Sequence, residues 1–147
     1  MHKSASILVL ALAACTGDDP AKTAQRTAAH RAACVAEELA IQANSKVTSL
    51  DTLRANAPAA VVERIYPFAR AYFDYARARE RQTALVDSAA AAESSDDSVR
   101  FAGLAATAAP GRPSGTIQVN AAESYERDHA RLLGNPDHPC NQAGEER

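Results

Sequence analysis

The chain has 147 residues, of which 16 are basic and 18 are acidic, and its formal net charge is −2. This near balance argues against nucleic acid or an anionic lipid surface as the principal partner, because both attract strongly basic proteins. Alanine supplies about a quarter of the residues and tryptophan is absent, so the composition predicts closely packed helices around a thin core.

The first fifteen residues have the order of parts found in a bacterial export signal. Lys3 gives a basic start, residues 5–12 form an apolar run, and two alanines precede Cys15. The apolar run is too short to span a bilayer, which needs roughly 20 apolar residues. A charged start, a short apolar run and small residues before a cut site indicate a removable signal. The sequence Leu12-Ala13-Ala14-Cys15 resembles the lipobox of bacterial lipoproteins.

The resemblance implies that residues 1–14 are a signal peptide and that Cys15 is acylated, with palmitate or a similar chain, after cleavage. Residues 15–19 would then be a lipidated tether in the cell envelope, facing the periplasm. If the sorting rule of enteric bacteria applies, Thr16 in place of aspartate favours the outer over the inner membrane. Acyl chains contribute ~0.8 kcal/mol per buried CH₂ and so anchor a protein to the bilayer without a transmembrane helix.

The helical domain is predicted over residues 20–140. Asp19-Pro20 opens a first helix over residues 20–44, because aspartate caps helices and proline suits their first position. A capping box that begins at Thr48 predicts a separate short helix to residue 56. The longest helix is predicted over residues 58–92, and Pro67 should kink or split it.

Two further helices are predicted in the last third of the chain. Residues 94–97 cap a helix that ends near residue 108, and residues 110–115 form a loop. Residues 116–119 are predicted to be extended, and Asn120 caps a last helix that ends at residue 134. A polar tail occupies residues 141–147. The predicted fold is therefore all-α, a small irregular bundle of about four main helices.

Cys34 and Cys140 are the two thiols that remain once Cys15 is acylated. Export places them in an oxidising compartment, so we predict a disulfide that staples the tail to the first helix. A zinc site that also uses His30 and His138 is conceivable. Its spacing matches no pattern that we recognise, and the sequence therefore predicts no metal and no cofactor.

Five of the seven aromatic residues lie between Tyr66 and Tyr75. Aromatic residues at helical spacing usually pack in a core, which is our main interpretation. The alternative is an exposed patch for a partner, formed by Phe68, Tyr75 and Arg79.

No catalytic residue is assigned, because the sequence has no nucleophile elbow, HExxH motif or glycine-rich phosphate loop. The favoured hypothesis is a non-enzymatic envelope lipoprotein, an anchored helical module that binds another envelope protein or ligand. An immunity or inhibitor protein is one specific version. The alternative is a small hydrolase or accessory protein that acts on the cell wall, which a deep pocket with two carboxylates or a buried Glu–His pair would favour.

Overall fold

The structure is a computed structural model that describes residues 19–56 and 59–142. The predicted signal peptide, the acylation site Cys15 and residues 143–147 of the predicted tail lie outside the described residues. Those predictions therefore stay predictions.

The described residues form helices and no strand, which confirms the all-α prediction. Within these residues, no helix combines the length and the apolar character needed to cross a membrane. The helices, in chain order, are α1 (Pro20–Asn56), α2 (Ala59–Ala91), α3 (Ser95–Ala108), α4 (Thr116–Leu133) and α5 (Pro139–Gln142).

Helices α1 and α2 form a long antiparallel hairpin with a regular seam. The buried residues of α2 are seven positions apart, which is the repeat that keeps one helix face against a partner. The buried residues of α1 alternate mainly at spacings of three and four, so they follow the same repeat. These seams comprise Val62, Ala69, Ala76 and Thr83 of α2, and Ala36, Ala40, Ala43, Val47 and Leu50 of α1.

The first helix does not end near residue 44, so the predicted break and the predicted short helix are wrong. Thr48 and Ser49 both lie inside α1, and the Ser49 hydroxyl donates to the Ser45 carbonyl one turn earlier. Val47 and Leu50 are buried in one cluster with Ala69 of α2. Burial of these side chains against α2 holds α1 continuous, because packing of an apolar face stabilises a helix more than local propensity does.

Helix α2 continues through Pro67, so the predicted split does not occur. Proline removes one backbone donor and disfavours the helix interior. Pro67 is exposed, while Ala69, two residues later, is buried against α1. The tertiary contact on the opposite side therefore outweighs the local cost of the proline.

The two later helices start at well-defined caps. Ser94 caps α3, since its Oγ accepts a hydrogen bond of 3.1 Å from the Asp97 N–H. Helix α4 begins at Thr116, so the predicted extended segment and the Asn120 cap are wrong. Gly115 precedes α4 with a φ of 93°, a conformation that glycine adopts without steric cost. The Gly115 carbonyl accepts the first helical bond from the Val119 N–H at 3.0 Å.

The C-terminal segment is attached to the bundle by a covalent bond and a helix cap. Cys34 of α1 and Cys140 of α5 form a disulfide with a Cα–Cα distance of 5.7 Å, which confirms the predicted pairing. Buried Asn141 donates from Nδ2 to the carbonyls of Leu132 and Leu133, at 2.9 and 3.2 Å. Asn141 therefore satisfies carbonyls that the end of α4 leaves without an intrahelical partner.

Candidate functional site

One cleft among the described residues lies between α1, α2 and α4, and we call it the central groove. Its volume is about 570 Å³, within the range of roughly 300–1,000 Å³ typical of ligand pockets. Leu39, Ala43, Phe68, Ala69 and Leu132 give it an apolar floor. The polar side chains of its rim are Gln42, Lys46, Ser124, Arg127, Asp128 and Arg131.

Positive charge dominates the rim of the central groove. Lys46 stands on the α1 side, and Arg127 and Arg131 stand one turn apart on α4. Asp128 is the single carboxylate of the lining, and it is already engaged. It accepts a hydrogen bond of 2.9 Å from the Tyr72 hydroxyl and lies 3.5 Å from the Arg131 guanidinium. The groove therefore presents an apolar floor between two cationic walls.

An aromatic cluster beneath the groove fixes α4 against α2. Tyr125 of α4 is fully buried, and the rings of Tyr72, Tyr75 and His129 lie 5.4–5.8 Å from its ring centre. His129 Nε2 donates to the Ala32 carbonyl of α1 at 3.1 Å, since a carbonyl can only accept. The cluster thus connects all three helices that line the groove.

The phenol groups of this cluster are held in their neutral form. Burial, reinforced by the hydrogen bond to Asp128, raises the pKa of Tyr72 well above its ordinary value. Burial and the hydrogen bond to Glu126, at 2.8 Å, raise the pKa of Tyr75 to about 12. Burial also raises the pKa of Tyr125. Tyr72 and Tyr75 therefore act as packing and hydrogen-bonding groups, Tyr125 acts as a packing group, and all three phenols are neutral near neutral pH.

The three residues predicted as a partner surface do not form one exposed patch. Phe68, Tyr75 and Arg79 are each half-buried. Tyr75 and Arg79 both bind Glu126 of α4. Arg79 Nε lies 2.9 Å from Glu126 Oε1, and the Arg79 side chain is 23% exposed. Phe68 instead lines the apolar floor of the central groove. Helix α4 covers Tyr75 and Arg79, and the sequence of α2 alone could not show this contact.

A second polar site surrounds the disulfide. His138 is buried, and its Nε2 lies 3.0 Å from a carboxylate oxygen of Glu38 on α1. The Cys140 N–H donates to His138 Nδ1 at 3.3 Å. Nδ1 must therefore be the unprotonated ring nitrogen, and Nε2 carries the proton that Glu38 accepts.

The histidine and cysteine pairs noted in the sequence do not converge as a set of four. His30 lies 3.2 Å from Asp87 of α2 and pairs with that carboxylate. Glu38, and not His30, lies beside His138 and Cys140. A carboxylate oxygen of Glu38, a ring nitrogen of His138 and Cys140 Sγ lie within 4.8 Å of one another. The sequence gives no sign of this contact, since 100 residues separate Glu38 from His138.

Sequence reasoning also missed the cationic rim. Arg127 and Arg131 are four residues apart and so share a helix face, which was the one available signal. Nothing in the sequence connects them with Lys46 on another helix.

No protein-family model, curated protein or solved structure matches this chain.

Proposed function

We propose that this protein is a non-enzymatic, lipid-anchored envelope module whose central groove binds an acidic, amphipathic segment of another envelope protein. The observation that carries the proposal is the apolar floor of the groove between the cationic side chains of α1 and α4. The anchor follows from the lipobox resemblance of residues 12–15.

The shape and charge of the groove match a helix or extended segment better than a flat protein surface. Amphipathic segments commonly bind by placing their apolar face in a groove between helices. Acidic residues flanking that face would meet Lys46 on one wall and Arg127 on the other, both of which are exposed. Such rim charges act mainly on the association rate and make binding sensitive to salt.

One observation favours the alternative, a small hydrolase acting on the cell wall. Glu38 and buried His138 form a Glu–His pair. In this geometry Nδ1 accepts the Cys140 N–H and Nε2 donates to Glu38. Neither nitrogen is therefore available to take a proton from a substrate, and the pair is better explained by structure. Cell-wall lysis by the purified protein that disappears in His138→Ala would reverse this preference.

The anchor is tested by replacing the acylation site. Cys15→Ser should abolish metabolic labelling with palmitate and release the protein from the membrane fraction. A Cys15→Ser protein that still sediments with membranes, together with a wild type that is never labelled, would exclude the lipoprotein assignment.

The groove is tested with two substitutions that change the charge equally. Arg127→Glu reverses a charge at the groove rim, and Arg112→Glu reverses one in the exposed loop before α4. A partner crosslinked in intact envelopes should be recovered with the wild type and Arg112→Glu, and about tenfold less with Arg127→Glu, since rim charges govern association. Phe68→Ala should reduce recovery as well. Equal recovery with all four proteins would show that the partner binds elsewhere.

A further inference from the structure

We propose that reduction of the Cys34–Cys140 disulfide converts its surroundings into a zinc site with Cys34, Cys140 and His138 as ligands and Glu38 as the positioning residue. The inference does not depend on the proposed function. It starts from one arrangement: a disulfide sulfur, a buried imidazole and a carboxylate that lie within 4.8 Å of one another.

The state of His138 suits a metal ligand. Zinc binds histidine through an unprotonated ring nitrogen. The lone pair of Nδ1 accepts the Cys140 N–H at 3.3 Å, so Nδ1 lies beside the cysteine that would share the metal, and zinc would have to displace this hydrogen bond to bind there. The opposite nitrogen donates to Glu38 at 3.0 Å. Histidines that bind metals almost always donate their other N–H to a carboxylate or a carbonyl, which fixes the ring and raises its basicity.

The cysteines require only a small rearrangement. Two thiolates on one tetrahedral zinc, each at ~2.3 Å from the metal, lie about 3.8 Å apart. The two bonded sulfurs must therefore move apart to about 3.8 Å. Rotation about the Cα–Cβ bonds can supply this movement, since the Cα atoms are 5.7 Å apart. Glu38 is partly exposed at 39% of its side chain, so the site has access to solvent. A water molecule completes the fourth position, as in zinc sites with three protein ligands.

The redox step balances with a dithiol as the reductant. The dithiol gives two electrons and two protons and becomes a disulfide, while the Cys34–Cys140 bond breaks and two thiols form. Zinc then displaces one proton from each thiol. Two thiolates neutralise the metal charge, and His138 contributes a neutral nitrogen, so the occupied site carries no net charge beyond that of Glu38.

The experiment uses the full chain with Cys15→Ser, which removes the third thiol. The protein is reduced with a phosphine, which does not compete for zinc as a thiol would, and is titrated with zinc against a chromophoric chelator. We expect one zinc per reduced chain and none per oxidised chain. Cobalt(II) should show thiolate charge-transfer and tetrahedral ligand-field bands in the reduced protein alone.

Three variants assign the ligands. Glu38→Gln should weaken zinc binding by about 10–100-fold, the usual effect of losing an outer partner of a ligand. His138→Ala should weaken it further. His30→Ala is the matched control, since His30 lies one turn from Cys34 but pairs with Asp87, and it should leave the affinity unchanged.

The far-UV circular dichroism of each sample reports folding independently of binding. Zinc should raise the melting temperature of the reduced protein, because a ligand that binds the folded state stabilises it. The proposal is overturned if reduced protein, folded or not, gains neither zinc nor stability. It is equally overturned if His138→Ala binds zinc as the wild type does, or if His30→Ala loses as much affinity as His138→Ala.

Discussion

Removal of the disulfide should cost this domain a large part of its stability. The double substitution Cys34→Ala/Cys140→Ala, in a chain that also carries Cys15→Ser, deletes the bond and leaves no thiol. The bond joins residues 106 positions apart, so it encloses most of the helical domain. Its loss frees the unfolded chain, while the cap formed by Asn141 on α4 remains in the folded state.

The magnitude follows from the length of the closed loop. In the chain-entropy model, a loop of about 100 residues restricts the unfolded chain by about 4.7 kcal/mol at 25 °C. At about 2–4 °C per kcal/mol, this corresponds to a melting temperature lower by roughly 10–20 °C. Against a typical stability of ~5–15 kcal/mol, this loss leaves the double variant between marginally and clearly stable, and the seam between α1 and α2, which does not involve the cysteines, holds what fold remains.

Urea unfolding followed by circular dichroism measures the effect. The urea m-value should rise in the double variant, since an unfolded chain without the cross-link exposes more surface. Wild-type protein in reductant is the control for packing of the cysteine side chains, and it should lose the same amount as the variant. A loss below ~1 kcal/mol in both samples would refute the reasoning, because the cross-link would then not constrain the unfolded state.

Three further predictions concern local interactions. The Tyr125 hydroxyl is buried without a hydrogen-bond partner among the described residues, so Tyr125→Phe should raise the free energy of unfolding by about 1 kcal/mol in urea titrations; a clear loss would indicate a partner that Tyr125 needs. The raised pKa of Tyr75 stabilises the folded state fully below pH ~10, its unfolded value, and this contribution should be lost as the pH rises towards about 12. In a spectrophotometric titration, Glu126→Gln should lower that pKa but leave it above 10.0, because burial is the larger cause; an unchanged pKa would refute the role of Glu126. Ser94→Ala should cost about 1 kcal/mol of unfolding free energy through loss of the α3 cap, whereas Ser95→Ala, one residue later, should cost less.

The features that depend on neighbours in the chain were predictable. Alanine-rich stretches with apolar residues three and four apart identified the helices, and the serine and aspartate residues at 94–97 identified the start of α3. The pairing of Cys34 with Cys140 was also predictable, because the lipobox resemblance sets Cys15 aside and implies export, and two thiols then have one intramolecular choice.

Local signals failed where distant packing opposed them. The cap at Thr48 and the break at Pro67 are sound local predictions, yet burial against the partner helix keeps α1 and α2 continuous. The extended segment at residues 116–119 failed because Gly115 starts α4 earlier than the asparagine signal at residue 120.

The candidate sites were decided by tertiary structure. The central groove needs Lys46 of α1 opposite Arg127 of α4, and the disulfide site needs Glu38 beside His138. Residues 80 to 100 positions apart in a helical chain have no mutual signal in the sequence, since helix periodicity fixes which residues share a face but not which faces meet. The same reason explains Tyr75 and Arg79, whose face of α2 is exposed in an isolated helix and is covered here by Glu126 of α4.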